Sequence, residues 1–229
     1  MEDSGGLGLN STSAAGFANY TSAELALDRV LHAVALLLAV LGIAWLFATT
    51  MAAGSVLQLI GVTTYGVGLI GMLAASAAYN SCYPCGAKEL LRRIDHAMIF
   101  IMIAGTCTPF ALSAFPVGDG LLCCTLVWIV ATIGVVLKLA FPRRFERLSL
   151  ALYLVTGWTM FGMGWAYADN LSNVVLPLLF GGGIAYSFGA FVHARGRLPF
   201  HNAVWHGLVL LGASSHWAAV ANQILYWRG

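Results

Sequence analysis

The run Val30 to Thr49, VLHAVALLLAVLGIAWLFAT, holds 20 residues without one Asp, Glu, Lys or Arg. A helix needs about 20 predominantly apolar residues to cross a bilayer, so this run reads as a membrane span. Six further runs read the same way: Ser55 to Tyr79, His96 to Phe115, Leu121 to Phe141, Leu148 to Ala168, Val174 to His193 and Ala203 to Tyr226. Composition agrees. Of 229 residues 60% are hydrophobic and 9% charged, against roughly a quarter charged in a soluble domain, which excludes a water-soluble globule. The 26 glycines suit helices that approach closely in lipid. No basic or acidic tail is present, so nucleic acid is excluded as a partner. The expectation is an all-α integral membrane protein, one seven-helix bundle over residues 21–229 behind a disordered segment, residues 1–20.

The cations fall on one side. Lys88, Arg92 and Arg93 lie between spans two and three, Lys138, Arg143, Arg144 and Arg147 around the turn from four to five, and Arg195 and Arg197 between six and seven. The opposite connections carry Asp119 and Asp169 and no Lys or Arg. By the positive-inside rule the basic face is cytoplasmic, which puts the N-terminus inside and the C-terminus, with Arg228, outside. The first 28 residues lack a basic segment followed by a short apolar core, so no secretory signal is expected there. Thr21 and Glu24 form a Thr-x-x-Glu capping box that could start the helix.

Polar groups inside spans are expensive and mark candidate sites. Ser76 and Asn80 close span two at i and i+4, Asp95 opens span three, and Asn202 and His206 open span seven, again at i and i+4. That spacing puts each pair on one helix face, and the topology puts all five at the cytoplasmic end. Each has a structural reading too: Ser can bond its own backbone, and Asp95 and Asn202 can cap helices. Their common depth favours a site.

The motifs SAAYN (Ser76 to Asn80), LRRIDHAMIFIMIAGTCTPFAL (Leu91 to Leu112), GGGIAYSFGAFVHARGRLPFHNAVWH (Gly181 to His206) and LVLLGASSHWAAV (Leu208 to Val220) resemble those of the hemolysin III family, which is related to the progestin and adipoQ receptors. The opening YTSAELALDRVLHAV is similar to the start of that family's first helix. The resemblance implies a seven-helix bundle with its N-terminus inside. It also implies a Ser-x-x-x-His pair on helix two, an Asp on helix three and a His-x-x-x-His pair on helix seven. Three imidazoles would then hold zinc near the cytoplasmic side, with a metal-bound water oriented by the Asp. In animal relatives this arrangement is associated with hydrolysis of lipid amides such as ceramide.

This chain keeps Ser76, Asp95 and His206 but has Asn80 and Asn202 at the other two ligand positions. A carboxamide oxygen is a poor zinc ligand beside imidazole, so a degraded zinc site is expected. Substitute ligands would have to come from His201 or from Cys82 and Cys85 of a Cys-x-x-Cys motif. His201 lies five residues from His206, about 140° around an ideal helix. The expected function is lipid binding in membrane-lipid homeostasis or sensing, in a bacterial inner membrane. The alternatives are a zinc-dependent hydrolase of a lipid amide or ester, with Asp95 handling the proton of a water and Ser76 bonding the oxyanion, and a pore. The spans carry almost no charge to line a conduction path. A retinal protein is excluded, since the only lysines are Lys88 and Lys138 and none lies in span seven.

Overall fold

The computed structural model describes residues 22–53, 55–82, 86–195 and 201–226. Among them the chain forms seven α-helices: α1 (Ser22–Ala53), α2 (Val56–Ser81), α3 (Lys88–Ser113), α4 (Val117–Ala140), α5 (Glu146–Ala166), α6 (Val175–Arg195) and α7 (His201–Tyr226), with one 3₁₀ turn, Ala168–Asn170, before α6. No strand occurs among the described residues. The expected disorder of residues 1–20 lies outside them.

Six of these helices are long and apolar enough to cross a membrane; the exception is α5. Its 21 residues begin with Glu146 and Arg147 and interleave Ser149, Thr156 and Thr159 with small and aromatic residues, which dilutes its apolar content. Outward faces are apolar: Leu37, Leu38 and Leu41 of α1 are all more than half exposed, as lipid-facing side chains are in a bundle whose solvent is hydrocarbon.

The helices outrun the apolar segments. α1 begins at Ser22 instead of Val30, and α3 at Lys88 instead of His96. The extension of α3 is held by Glu89, which pairs with Arg92 three residues on at 3.0 Å and Arg93 four residues on at 3.6 Å, the spacing at which opposite charges support a helix. Asp95 therefore sits two turns inside α3 and does not cap it; the capping position is Ala87. Asn202 likewise lies within α7.

α3 is the centre of the bundle, meeting α2, α4, α5 and α7. Met102 and every residue from Ala104 to Ala111 are buried, and burial on all sides of a helix marks it as interior. Small residues let α2 and α3 close together. A Cβ on Gly105 would come within 2.9 Å of the Thr64 carbonyl oxygen, and one on Gly61 within 2.8 Å of the Pro109 Cα, the close approach typical of membrane helix pairs. α6 and α7 meet the same way, with Gly182 under the His216 ring. At the end of the bundle where α3 begins, Glu146 joins three helices: Lys138 Nζ reaches it at 2.5 Å, Arg92 at 3.2 Å and His96 Nδ1 at 3.8 Å.

Candidate site at the polar end of the bundle

Asp28 and His32 stand one turn apart on α1 and are only 4% and 5% exposed, although most of the neighbouring residues on α1 face outward. Both are ionisable groups turned inward from a lipid-facing helix, which is costly unless each is bonded. They are. His32 donates from Nδ1 to the Asp28 main-chain oxygen at 2.8 Å, and its Nε2 lies 3.0 Å from Ser76 Oγ on α2. Because Nδ1 is the donor, a neutral His32 turns its Nε2 lone pair toward Ser76 Oγ. Across the bundle, His206 of α7 donates from Nδ1 to Asp28 Oδ1 at 2.5 Å, and the two imidazole rings meet edge to face, 4.5 Å between centroids.

The carboxamides continue the network. Asn80 donates from Nδ2 to the Ser76 carbonyl at 2.9 Å and to Ser76 Oγ at 3.3 Å. Asn202 donates from Nδ2 to Asn80 Oδ1 at 3.4 Å. Asp95 enters from α3, within electrostatic reach of His206, Asp28 and Lys88 and beside the Ser76 hydroxyl. Helices α1, α2, α3 and α7 thus bring Ser76, Asn80, Asp95, Asn202 and His206 to one place, together with Asp28 and His32, which the sequence reading passed over. The missed signal was the same i, i+4 spacing. With span one starting at Val30, Asp28 falls in a connection and His32 sits inside an apolar run.

A cavity of about 690 Å³ opens from this cluster, within the range of sites for small ligands. It is lined by Asp28, His32, Ser76, Asn80, Asp95 and His206, by apolar side chains such as Met72, Ile99, Met102, Ile103, Phe161 and Leu179, and by the polar Thr106, Tyr186, Ser187 and His216 among them.

The donors test the zinc expectation. The Asn80 oxygen is engaged by Asn202, so the two carboxamides bond each other where the resemblance implies imidazoles, and the three-histidine set does not form. A neighbouring set does: one ligand atom each from Asp28, His32 and His206 lies within 4.8 Å of the others. Two imidazoles and a carboxylate suit zinc with an open coordination position. The Nδ1 bonds from both rings to Asp28 resemble the outer bonds that orient metal-binding histidines. The other proposed donors contribute nothing described: Cys82 is disulfide-bonded and so offers no thiolate, while Cys85 and the His201 side chain lie outside the described residues.

The sequence matches the family described as haemolysin-III related over residues 25–217. It is 33% identical over 196 residues to the hemolysin-3 homolog of Bacillus subtilis (strain 168), covering 86% of this chain and 92% of that protein. It is 30% identical over 200 residues to hemolysin-3 of Bacillus cereus, covering 86% of this chain and 90% of the relative.

Proposed function

The chain belongs to the haemolysin-III related family, and we propose that it is a multi-pass membrane protein that binds a membrane lipid inside its bundle and acts in membrane-lipid homeostasis or sensing. One observation carries this reading: a single cavity joins the ionisable cluster to a mainly apolar lining, interrupted by Thr106, Tyr186, Ser187 and His216, a chemistry that suits a headgroup joined to an acyl chain. Burying the chain against Met72, Ile99 and Phe161 gains about 0.8 kcal/mol per methylene transferred from water. That gain shrinks for a lipid already in the bilayer, so selectivity rests on the polar end.

In this reading all seven helices span. The basic connections face the cytoplasm, with Arg92 and Lys138 already tied together through Glu146 at one end, and the N-terminus lies inside. The bacterial relatives favour a bacterial inner membrane. The test is a melting series on detergent-purified protein with a panel of lipids. Asp95→Asn should alter the lipid-dependent shift, whereas Asp169→Asn, at an exposed position, should not. Equal shifts in parent and both variants across the panel would remove the polar end from the account.

A second reading has its own observation. Asp28, His32 and His206 can hold zinc, which when bound supplies a Lewis acid and an acidified water for ester or amide hydrolysis. Elemental analysis of protein prepared without chelator should then give about one zinc per chain, falling to background in His32→Ala. Metal-free parent protein would end this reading.

A further inference from the structure

Resting on the lipid-binding reading above, we propose that Ser76 is a nucleophile and His32 its general base, and that the cavity cleaves an ester-linked lipid by acyl transfer through an acyl-serine. Two atoms carry the idea. Ser76 Oγ lies 3.0 Å from His32 Nε2, within the reach that defines a nucleophile and its base. The opposite ring nitrogen donates to the Asp28 main-chain oxygen at 2.8 Å, which fixes the tautomer with the lone pair facing the serine, and the Asp28 carboxylate stands 3.7 Å from that nitrogen to stabilise the imidazolium.

The carboxamides that serve zinc poorly serve this chemistry well. Asn80 Nδ2 is 3.3 Å from Ser76 Oγ, and Asn202 holds the Asn80 oxygen, so the Asn80 NH₂ is a fixed donor beside the nucleophile, where a substrate carbonyl would have to enter. A fixed neutral donor there stabilises a tetrahedral intermediate. Asp95 stands beside the same hydroxyl and competes with His32 for its one proton until substrate enters.

The reaction balances with water alone as co-reactant. Ser76 Oγ bonds to the acyl carbon as its proton passes to His32 Nε2. The intermediate collapses, the acyl–oxygen bond breaks, and His32 returns the proton to the departing alcohol. Water, giving a proton to His32, then attacks the acyl-serine; its collapse frees the fatty acid and returns the proton to Ser76.

The experiment treats the full chain in detergent with a long-chain alkyl fluorophosphonate, locates the adduct by tandem mass spectrometry, and extracts retained lipid from a parallel sample. We expect about one adduct per chain, on Ser76. Ser76→Ala abolishes it, His32→Gln slows it roughly 100-fold, and 1,10-phenanthroline leaves it unchanged. The parent also hydrolyses 4-methylumbelliferyl heptanoate. Absence of a Ser76 adduct while lipid is retained overturns the nucleophile and leaves lipid binding standing; absence of both overturns the two together. Labelling on Ser76 that is indifferent to His32→Gln overturns the base assignment, and labelling lost on chelation overturns the proposal in favour of the metal reading.

Discussion

Asp28 is the residue on which both imidazoles depend: its backbone oxygen holds His32 and its carboxylate holds His206. Asp28→Asn should leave the first bond and weaken the second, because a bond to a carboxylate oxygen is replaced by one to a neutral amide oxygen. A loss of about 1–3 kcal/mol of stability is expected, measured by thermal unfolding in detergent against Asp169→Asn as control. No difference between the two would mean that the His206 bond contributes nothing. At this scale the sequence was half legible. Ser76, Asn80, Asp95, Asn202 and His206 stood out because polar residues at span ends are conspicuous. Asp28 and His32 did not, because a histidine within VLHAVALLLAV is outweighed by its neighbours in any reading by apolar runs, and its inward direction comes only from the packing of α1 against α2 and α7.

The helices themselves were legible because a span is a compositional object, roughly 20 apolar residues whose backbone must bond internally. Their ends were less so: α3 continues beyond its hydrocarbon-compatible segment on the Glu89–Arg92 and Glu89–Arg93 ion pairs and α1 on residues that include the Asp28–His32 pair, none of which leaves an apolar signal. The seam of α2 and α3 predicts that Gly105→Ala, forcing a methyl to 2.9 Å from the Thr64 oxygen, costs about 1–3 kcal/mol; an unchanged melting midpoint would contradict that closeness. The polar connection at α5 adds a pH dependence. Burial pushes the Glu146 carboxyl up, but the hydrogen bond from Lys138, with Arg92 beside it, pulls it down further, so its net value lies below the ordinary glutamate range. A carboxyl lowered in the folded state stabilises above its unfolded value, about 4.3, and that contribution fades as pH falls below it. Glu146→Gln should therefore lower the melting midpoint at pH 7, where Lys138 is left buried without its carboxylate, and the gap between parent and variant should narrow toward pH 4. A gap that widens on acidification would refute the assignment.

At the scale of the whole molecule, the bundle turns the usual pattern inside out: its lipid face is apolar, and its interior combines a packed seam around α3 with a cavity that joins an ionisable cluster to a mainly apolar lining. Composition announced the membrane and charge asymmetry suggested an orientation, but the cavity depends on which residues leave space, and sequence spacing does not encode that. Gly157 of α5 is one of them, lining the cavity with nothing beyond its chain neighbours and its own helix backbone within 4 Å of where a Cβ would stand. Gly157→Phe should fill part of that space without straining the helix, since it removes a glycine from a helix interior. The decisive measurement is the lipid extracted per mole of detergent-purified chain, compared between the parent and Gly157→Phe. About one lipid per parent chain is expected, and less than about half of that in the variant, with folding intact. A parent that carries no lipid, or a variant that carries as much as the parent, would contradict it.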